Sequence, residues 1–344
     1  MRKTLLVIIS LILALSLFVG CSPSGGKSSG GSGGKQKYAI IVKSTGNPFM
    51  EKMMDGFKEA VAEIGGEAIL KAPSNPNAED QIEMIQELIS QGVACIAIAA
   101  NDPDALQPAL EQAMDEGIKV LSLDSAVNLD SRMVHIEQAD PEAIGRIQIQ
   151  AALEMIGGAG EIAVLSATSQ ATNQNTWIEW MKKELEEDDY KDVELVKVAY
   201  GDDLRDKSVS ETEALLKTYP DLKAIIAPTT VGIAAAGKVL TDKGLKGEVH
   251  LTGLGLPSEM AEYIESGVCP WMYLWNPIDL GYLAGQAAEA LVEDTIDGKV
   301  GGKFTAGRLG DREVTEAGDG GTNIMLGDPF KFDGDNIGDW KDVY

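Results

Sequence analysis

Short apolar runs alternate with amphipathic segments along the chain from Tyr38 onward. Runs such as "YAIIVK", "VACIAIAA" and "EIAVLS" are apolar at successive positions, which is typical of strands buried on both faces. The segments between them, such as "FMEKMMDGFKEAVAEIG", repeat apolar residues with the helical period. Buried strands joined by helices predict an α/β fold whose parallel sheets are covered on both sides.

The alternation occurs twice along the chain. A first set of strand–helix units covers Tyr38 to Gln138, and a second set begins at about Pro141. The sequence therefore predicts two Rossmann-like, doubly wound lobes, each with its own parallel sheet. Ligands of such sheets bind beyond the carboxyl ends of the strands, so we expect the site in the cleft between the lobes.

The N-terminus carries a different pattern. The basic segment "MRK" precedes an apolar run that ends at Cys21, which predicts a secretory signal peptide at residues 1–20. A run of this length also fits an uncleaved membrane anchor. Gly20 directly before Cys21 is similar to bacterial lipoprotein signals, so we expect a lipid on Cys21. Residues 21–37 then form the lipidated cysteine and a flexible Gly/Ser linker that holds the body at the outer face of the cell membrane.

The net charge excludes one class of partner. The net charge is −25, and a field of this sign repels phosphate backbones, so we expect no nucleic-acid partner.

Cys95 and Cys269 are the cysteines of the body, and nothing in their spacing argues for a disulfide. Cys95 lies inside an apolar run, where a cysteine usually packs as a small core residue. We expect both thiols to be free.

Polar and aromatic side chains follow many of the predicted strands at their carboxyl ends. Because these ends meet at the cleft, we expect the side chains to converge on a ligand. Amides, hydroxyls, carboxylates and a lysine together donate and accept hydrogen bonds, as the hydroxyl groups of a sugar-like molecule require. Aromatic rings suit the apolar face of a sugar ring. The predicted ligand-binding residues are Lys43, Asn47, Phe49, Asn101, Asp124, Asn173, Gln174, Trp177, Pro228, Thr230, Trp275 and Asn276.

Several of these residues have another structural explanation. Asn47 and Asn276 each precede a proline, and this pair is typical of a helix N-cap, the favoured interpretation of either residue taken alone. Asn101 also begins a cap-like segment. Solvation, ion pairing or burial in the core would account equally for Lys43, Asp124 and Trp177. The hypothesis therefore rests on the convergence of the whole set.

Catalytic chemistry has little support in the sequence. The two histidines, His135 and His250, lie within apolar runs, where packed strand residues outnumber bases and metal ligands. The chain has no nucleophile elbow, zinc-binding helix or phosphate-binding glycine loop. The segment "DGDNIGD" at residues 333–339 lacks the spacing of a calcium loop. We expect no enzyme, no cofactor and no metal, and a carboxylate-based hydrolase is the catalytic alternative.

Several longer blocks resemble one family. "ATNQNTWI", "YGDDLRDKS", "KAIIAPTTVG", "TGLGLPSEM" and "WNPIDLGYLA" are similar to segments of ABC-transporter solute-binding lipoproteins of the type I, ribose-binding-like class. Within that class they resemble the rhamnose-binding and autoinducer-2-binding subfamilies. The resemblance implies a periplasmic-binding-protein fold with a three-segment hinge. It places lobe 1 at residues 38–139 plus 255–299 and lobe 2 at residues 140–254 plus 300–344.

The resemblance also implies the ligand. Lys43, Asp124, Gln174 and Pro228 match pocket residues of autoinducer-2 receptors, whereas Asn173 replaces an aspartate and Thr230 an alanine. The two departures favour the rhamnose-binding pattern, so we expect capture of L-rhamnose, with an autoinducer-2 receptor and uptake protein as the alternative. The expected partner is the membrane permease of an ABC transporter, and the expected state is a monomer. A sugar-responsive transcription regulator would need a helix-turn-helix where this chain has its signal peptide.

Overall fold

A computed structural model describes residues 35–344. The predicted signal peptide, Cys21 and almost all of the linker lie outside the described residues. The strands are β1 (Lys37–Ile41), β2 (Glu67–Lys71), β3 (Cys95–Ile98), β4 (Lys119–Leu123), β5 (Val134–Glu137), β6 (Gly160–Ser166), β7 (Val193–Tyr200), β8 (Leu222–Ala227), β9 (His250–Gly253), β10 (Trp271–Leu274), β11 (Lys303–Thr305), β12 (Asp311–Glu313), β13 (Thr315–Glu316), β14 (Thr322–Met325) and β15 (Phe330–Asp333).

Each α-helix begins within seven residues of the end of the preceding strand. They are α1 (Pro48–Glu63), α2 (Ala78–Gln91), α3 (Pro103–Asp115), α4 (Pro141–Ile156), α5 (Thr172–Glu184), α6 (Arg205–Thr218), α7 (Thr230–Asp242), α8 (Pro257–Ser266), α9 (Pro277–Val292) and α10 (Ile337–Trp340). The side chain of Asn47 caps α1 by accepting a hydrogen bond from the Phe49 N–H at 3.0 Å. Asp102 and Asp140 cap α3 and α4 in the same way. These short strand-to-helix connections keep the polar strand ends at one edge of each sheet.

Lobe 1 is built on a seven-stranded sheet with the order β13-β14-β5-β4-β3-β1-β2. Neighbouring strands are parallel except for β13 and β14. All four residues of β3 are buried, because α2 and α3 cover one face of the sheet and α1 and α9 cover the other. The continuous apolar runs of the sequence are explained by this double coverage.

Lobe 2 is built on a four-stranded parallel sheet with the order β7-β6-β8-β9. Strand β10 continues this sheet through a parallel bridge between Leu254 and Tyr273, and β15 pairs with β10 in the antiparallel direction. Helices α4 and α5 pack on one face of the sheet. The prediction of two doubly wound α/β lobes is therefore confirmed.

The lobe boundaries differ from the prediction at two of the three crossings. The chain passes between lobes at residues 138–140, 275–276 and 326–329. Assigning residues 255–276 to lobe 1 was wrong, because α8 packs on α7 and β10 joins the lobe 2 sheet. Assigning residues 300–325 to lobe 2 was also wrong, because β14 pairs with β5 of lobe 1.

In lobe 1, helices α1 and α9 pack closely against each other. A Cβ atom added at Gly281 would lie 1.8 Å from the Met53 carbonyl oxygen, and one at Gly56 would lie 1.8 Å from the Ile278 carbonyl oxygen. The two helices can approach this closely only because both positions lack a side chain. This contact fixes where α9 begins and so where the second crossing enters lobe 1.

Two further findings concern the described residues. Cys95 and Cys269 are buried and do not pair with each other, as predicted. Within residues 35–344, every helix is too short or too polar to cross a lipid bilayer.

Candidate functional site

Strand ends from both lobes surround a small cavity. Lys43 and Asp124 contribute from lobe 1, Gln174 and Asp203 from lobe 2, and Trp275 from the second crossing. The cavity measures about 30 Å³, which is room for roughly one water molecule. A ligand of more than a few atoms therefore requires the lobes to separate and close around it, as hinged two-lobe proteins do.

The centre of the cavity wall is a buried ion pair. Lys43 Nζ lies 3.3 Å from Asp124 Oδ2, and each side chain is only 5% exposed. The backbone of Asp124 is left-handed, with φ 59°. This conformation is uncommon outside glycine and clusters at functional sites. A buried ion pair needs further polar partners to offset its desolvation, and a ligand that bonds both groups would supply them.

A second carboxylate faces the cavity from lobe 2. Asp203 follows β7, also has a left-handed backbone with φ 54°, and accepts a hydrogen bond from the Thr229 hydroxyl. Burial raises the pKa of Asp203, the charge of Lys43 opposes this rise, and Asp124 adds to it. Acceptors from opposite lobes therefore face one region of the cleft, with Lys43 as the neighbouring cation.

Aromatic rings form the apolar wall. The ring of Trp275 meets Phe49 edge-on at 6.3 Å and Trp177 at 5.7 Å between centroids. Trp177 is 1% exposed and Trp275 is 4% exposed. Rings from lobe 1, lobe 2 and the second crossing thus form one apolar surface, suited to the C–H face of a ring-shaped polar ligand.

Three buried polar atoms at the cavity are left without hydrogen bonds. Within residues 35–344, Gln174 Oε1 and Trp275 Nε1 have no partner, and Asp124 Oδ2 has only its charge contact with Lys43. Buried polar atoms in folded proteins are nearly always hydrogen-bonded. The two oxygens accept and the indole nitrogen donates, so these atoms point to a ligand that carries donors and acceptors close together.

The structure brings most of the predicted residues together. Asn173 reaches the cavity wall through hydrogen bonds to Asp124 and Lys43. The predicted residues that line the cavity are Lys43, Asn47, Phe49, Asp124, Gln174, Trp177, Pro228, Thr230 and Trp275.

Two predicted contacts lie elsewhere. Asn101 donates from Nδ2 to the Lys43 carbonyl at 2.9 Å, so it supports the backbone behind the cavity. Asn276 accepts from the Ile278 N–H at 2.9 Å and caps α9. Both are corrections to the prediction. The Asn101 amide is used by the backbone of another strand end, at Lys43, and the Asn276 amide oxygen is used by the first turn of its own helix.

Asp203 and Thr229 were missed. Both line the cavity. Asp203 lies three residues after the end of the "VELVKVAY" run, behind Gly201 and Asp202. Applying the strand-end rule to this run, as to the others, would have found Asp203. Thr229 stands between two residues of the "PTT" segment that were named, Pro228 and Thr230.

Beside the cavity, the lobes enclose a larger acidic cleft of about 880 Å³. His135 lines it as a packed strand residue whose Nδ1 lies 2.8 Å from Ser122 Oγ, and burial lowers the pKa of His135 to about 3. Gln174 and Trp275, whose buried polar atoms have no hydrogen bond within residues 35–344, line the small cavity and not the larger cleft, so the small cavity is the better candidate site. Within the described residues, no three side chains of the metal-ligating types come close enough together to hold an ion.

Comparisons with known proteins agree with this architecture. A crystal structure of an ABC transporter solute binding protein from Clostridium phytofermentas with bound L-rhamnose is 52% identical, covers 90% of this chain and 99% of its own, and superposes with a TM-score of 0.88. LsrB from Clostridium saccharobutylicum in complex with AI-2 is 23% identical, covers 88% of this chain and 99% of its own, and has a TM-score of 0.83. The latter likeness shows the fold alone.

A curated relative extends the comparison. The D-allose-binding periplasmic protein of Escherichia coli (strain K12) is 23% identical over 277 residues, which are 77% of this chain and 86% of that protein. The family model described as "Periplasmic binding protein domain" matches residues 38–296, which is most of the chain. The chain therefore belongs to the periplasmic binding protein family.

Proposed function

We propose that the protein is the solute-binding component of an ABC importer and that it captures L-rhamnose between its lobes. The observation that carries the proposal is the 52% identity, over 90% of this chain, to a solute-binding protein whose crystal structure holds L-rhamnose. Curated relatives named for allose, ribose and xylose support the coarser proposal that the ligand is a sugar. Members of such a family bind and deliver their ligand without transforming it, so no turnover is expected.

The cavity supports a polyol ligand. Sugar hydroxyls can donate to Asp124 Oδ2 and Gln174 Oε1 and accept from Trp275 Nε1, three atoms at the cavity that have no hydrogen bond within residues 35–344. The rings of Trp177 and Trp275 would pack against the C–H face of the sugar. Contacts of this kind from both lobes exist only when the lobes are closed, so the ligand would stabilise the closed form.

Autoinducer-2 is the alternative ligand. It is favoured by the match of Lys43, Asp124, Gln174 and Pro228 to pocket residues of autoinducer-2 receptors, since all of them line the cavity here. Asn173 and Thr230 remain the departures from that pattern. An autoinducer-2 ligand would make the protein a quorum-sensing receptor as well as an uptake component.

We further propose that a lipid on Cys21 holds the protein, as a monomer, at the outer face of the cell membrane, where the closed form docks on a permease. The proposal is supported by the apolar run ending in Gly20 and Cys21. Substituting Cys21→Ala in the full chain should release the protein into the medium. Retention of that variant in the membrane fraction would instead favour an uncleaved anchor.

Calorimetric titration tests the ligand. The body from residue 35 onward is refolded from denaturant to remove carried ligand and titrated with L-rhamnose, autoinducer-2, D-allose and D-ribose. Binding of L-rhamnose alone supports uptake of that sugar, and binding of autoinducer-2 alone supports the receptor. Binding of D-allose or D-ribose alone, or of none of the four, refutes both ligand assignments.

A matched pair of variants tests the site. Asp124→Ala should weaken binding on the order of a hundredfold, because it removes a buried charged acceptor. Asp130→Ala is the control, since Asp130 is an exposed aspartate in the short 3₁₀ turn between β4 and β5. Equal affinity of the two variants would remove Asp124 from the site.

A further inference from the structure

The amide of Asn173 joins the two lobes directly. It lies in α5 of lobe 2, and its Nδ2 donates to Asp124 Oδ1 of lobe 1 at 3.1 Å. Its Oδ1 accepts from Lys43 Nζ at 3.3 Å and from Ser125 Oγ at 2.8 Å, both also in lobe 1. The oxygen is surrounded by donors and the nitrogen faces an acceptor, so only one orientation of this amide satisfies the contacts.

These contacts occupy the amide oxygen that a ligand would otherwise reach. Asn173 is 7% exposed and its oxygen also accepts from the Gln174 N–H at 3.0 Å, so this oxygen has no capacity left for a ligand. The neighbouring Thr172 hydroxyl donates to the Ala126 carbonyl of lobe 1 at 3.2 Å. The first turn of α5 is therefore docked on the loop after β4 by protein contacts alone.

We propose that Asn173 is a positioning residue and not a ligand contact. Its hydrogen bonds to Asp124, Lys43 and Ser125, called the latch below, hold the closed lobes together and keep Asp124 and Lys43 in the orientation that a ligand meets. This role revises the ligand-binding assignment predicted for Asn173 from the sequence. It depends on the closed lobe arrangement and not on the identity of the ligand, so it stands apart from the proposal of L-rhamnose.

The chemistry of the latch requires an amide. Asn173→Asp keeps the size and one acceptor oxygen, so the Lys43 and Ser125 bonds can persist. It replaces the donor with a carboxylate oxygen about 3.1 Å from Asp124 Oδ1. Lys43 Nζ lies 3.3 Å from Asp124 Oδ2 and from the oxygen of residue 173 and reduces the repulsion, whereas the neighbouring carboxylates of Asp203 and Glu137 add to it. Two carboxylates this close cannot both be ionised without strong repulsion. One shared proton would restore the hydrogen bond, so the variant should close at acidic pH and open at alkaline pH.

The test measures the distance between the lobes in ligand-free protein. Spin labels are placed on Ser74→Cys in lobe 1 and Asp206→Cys in lobe 2, both exposed positions, while the buried Cys95 and Cys269 stay unlabelled. Distance distributions are recorded at pH 4.5 and pH 8.5 for the labelled parent and its variants. The matched control is Asn175→Ala, whose amide donates within lobe 2 to the Ser169 carbonyl.

The latch predicts a distinct result for each variant. Asn173→Ala should lower the closed fraction on the order of tenfold at both pH values, through loss of hydrogen bonds to charged groups. Asn173→Asp should lower the closed fraction only at pH 8.5. The double variant Asn173→Asp with Asp124→Asn should restore closure, because it exchanges the donor and the acceptor. Asn175→Ala should match the parent.

Three results would overturn the latch. They are a parent with no closed population at all in the absence of ligand, an Asn173→Ala variant with the parent's distances, and a reciprocal exchange that restores nothing while circular dichroism shows a folded protein. Weakened sugar binding with unchanged distances would return Asn173 to the role of a ligand contact. Failure of L-rhamnose to bind would leave these distances unaffected, so the two proposals fail separately.

Discussion

Glu137 should make the stability of the protein fall as the pH rises. It is the last residue of β5, at the first crossing between the lobes, and its side chain is 13% exposed. Burial, followed by the charges of Asp124 and Asp319, raises the pKa of Glu137 from 4.5 to about 8, and Arg132 opposes the rise. His135 Nε2 lies 3.7 Å away but is neutral, because burial lowers the pKa of His135 to about 3.

The sign and the size of this pH effect on the free energy of unfolding follow from the raised pKa of Glu137. Between pH 4.5 and about pH 8 the folded protein keeps a proton on Glu137 that the unfolded chain has released, so the free energy of unfolding decreases with pH in this window. Below the window Glu137 has no effect, and above it the loss is complete. At about 1.4 kcal/mol for each pKa unit, the total is on the order of 5 kcal/mol.

Glu137→Gln tests this reasoning, because a neutral amide of the same shape removes the ionisation. Urea unfolding of both proteins from pH 4 to pH 9 should give equal stabilities near pH 4.5, with the variant more stable by a few kcal/mol above pH 8. The control is Glu83→Gln, an exposed glutamate that forms no ion pair within residues 35–344. A stability difference that is constant with pH, or that favours the parent at high pH, would refute the argument.

Three other substitutions test the site and the packing. Trp275→Phe keeps an aromatic ring but removes an unpartnered buried N–H, so calorimetry should show roughly tenfold weaker sugar binding with little change in melting temperature. Asp203→Asn should weaken binding by a similar factor, and unchanged affinity would exclude it from the site. Gly281→Ala forces a Cβ to 1.8 Å from the Met53 carbonyl oxygen and should destabilise the fold by about 3 kcal/mol or more, whereas Gly338→Ala, with open space around it, should leave the melting temperature unchanged.

The two-lobe fold was predictable because burial on both faces leaves a direct trace in the sequence. All four residues of β3 are buried and apolar, and such runs joined by amphipathic helices admit few arrangements other than covered parallel sheets. The lobe boundaries were not predictable in the same way. Helices α8 and α9 each follow a short strand and begin at a proline, so their patterns do not say which sheet each one covers. That choice depends on partners far away in the chain, such as the contact of Gly281 with Met53.

The candidate site was predictable as far as strand ends determine position. Lys43 and Asp124 follow buried strands of one sheet, so parallel topology alone brings them to one edge. The topology does not determine which group each of these side chains contacts. Asn276 and Asn173 are both amides at helix starts, yet one caps its own helix and the other reaches across the cleft to Asp124.

The three unpartnered atoms explain how binding can be coupled to closure. Asp124 Oδ2 belongs to lobe 1, Gln174 Oε1 to lobe 2 and Trp275 Nε1 to the second crossing, so a ligand can satisfy all three only when the lobes meet. A buried polar atom without a hydrogen bond costs about 1–3 kcal/mol. Closure without a ligand therefore carries a cost of several kcal/mol that the Asn173 contacts offset only in part. A ligand that supplies two donors and one acceptor removes this cost, and a difference of that size is sufficient to shift a hinge equilibrium by a hundredfold or more.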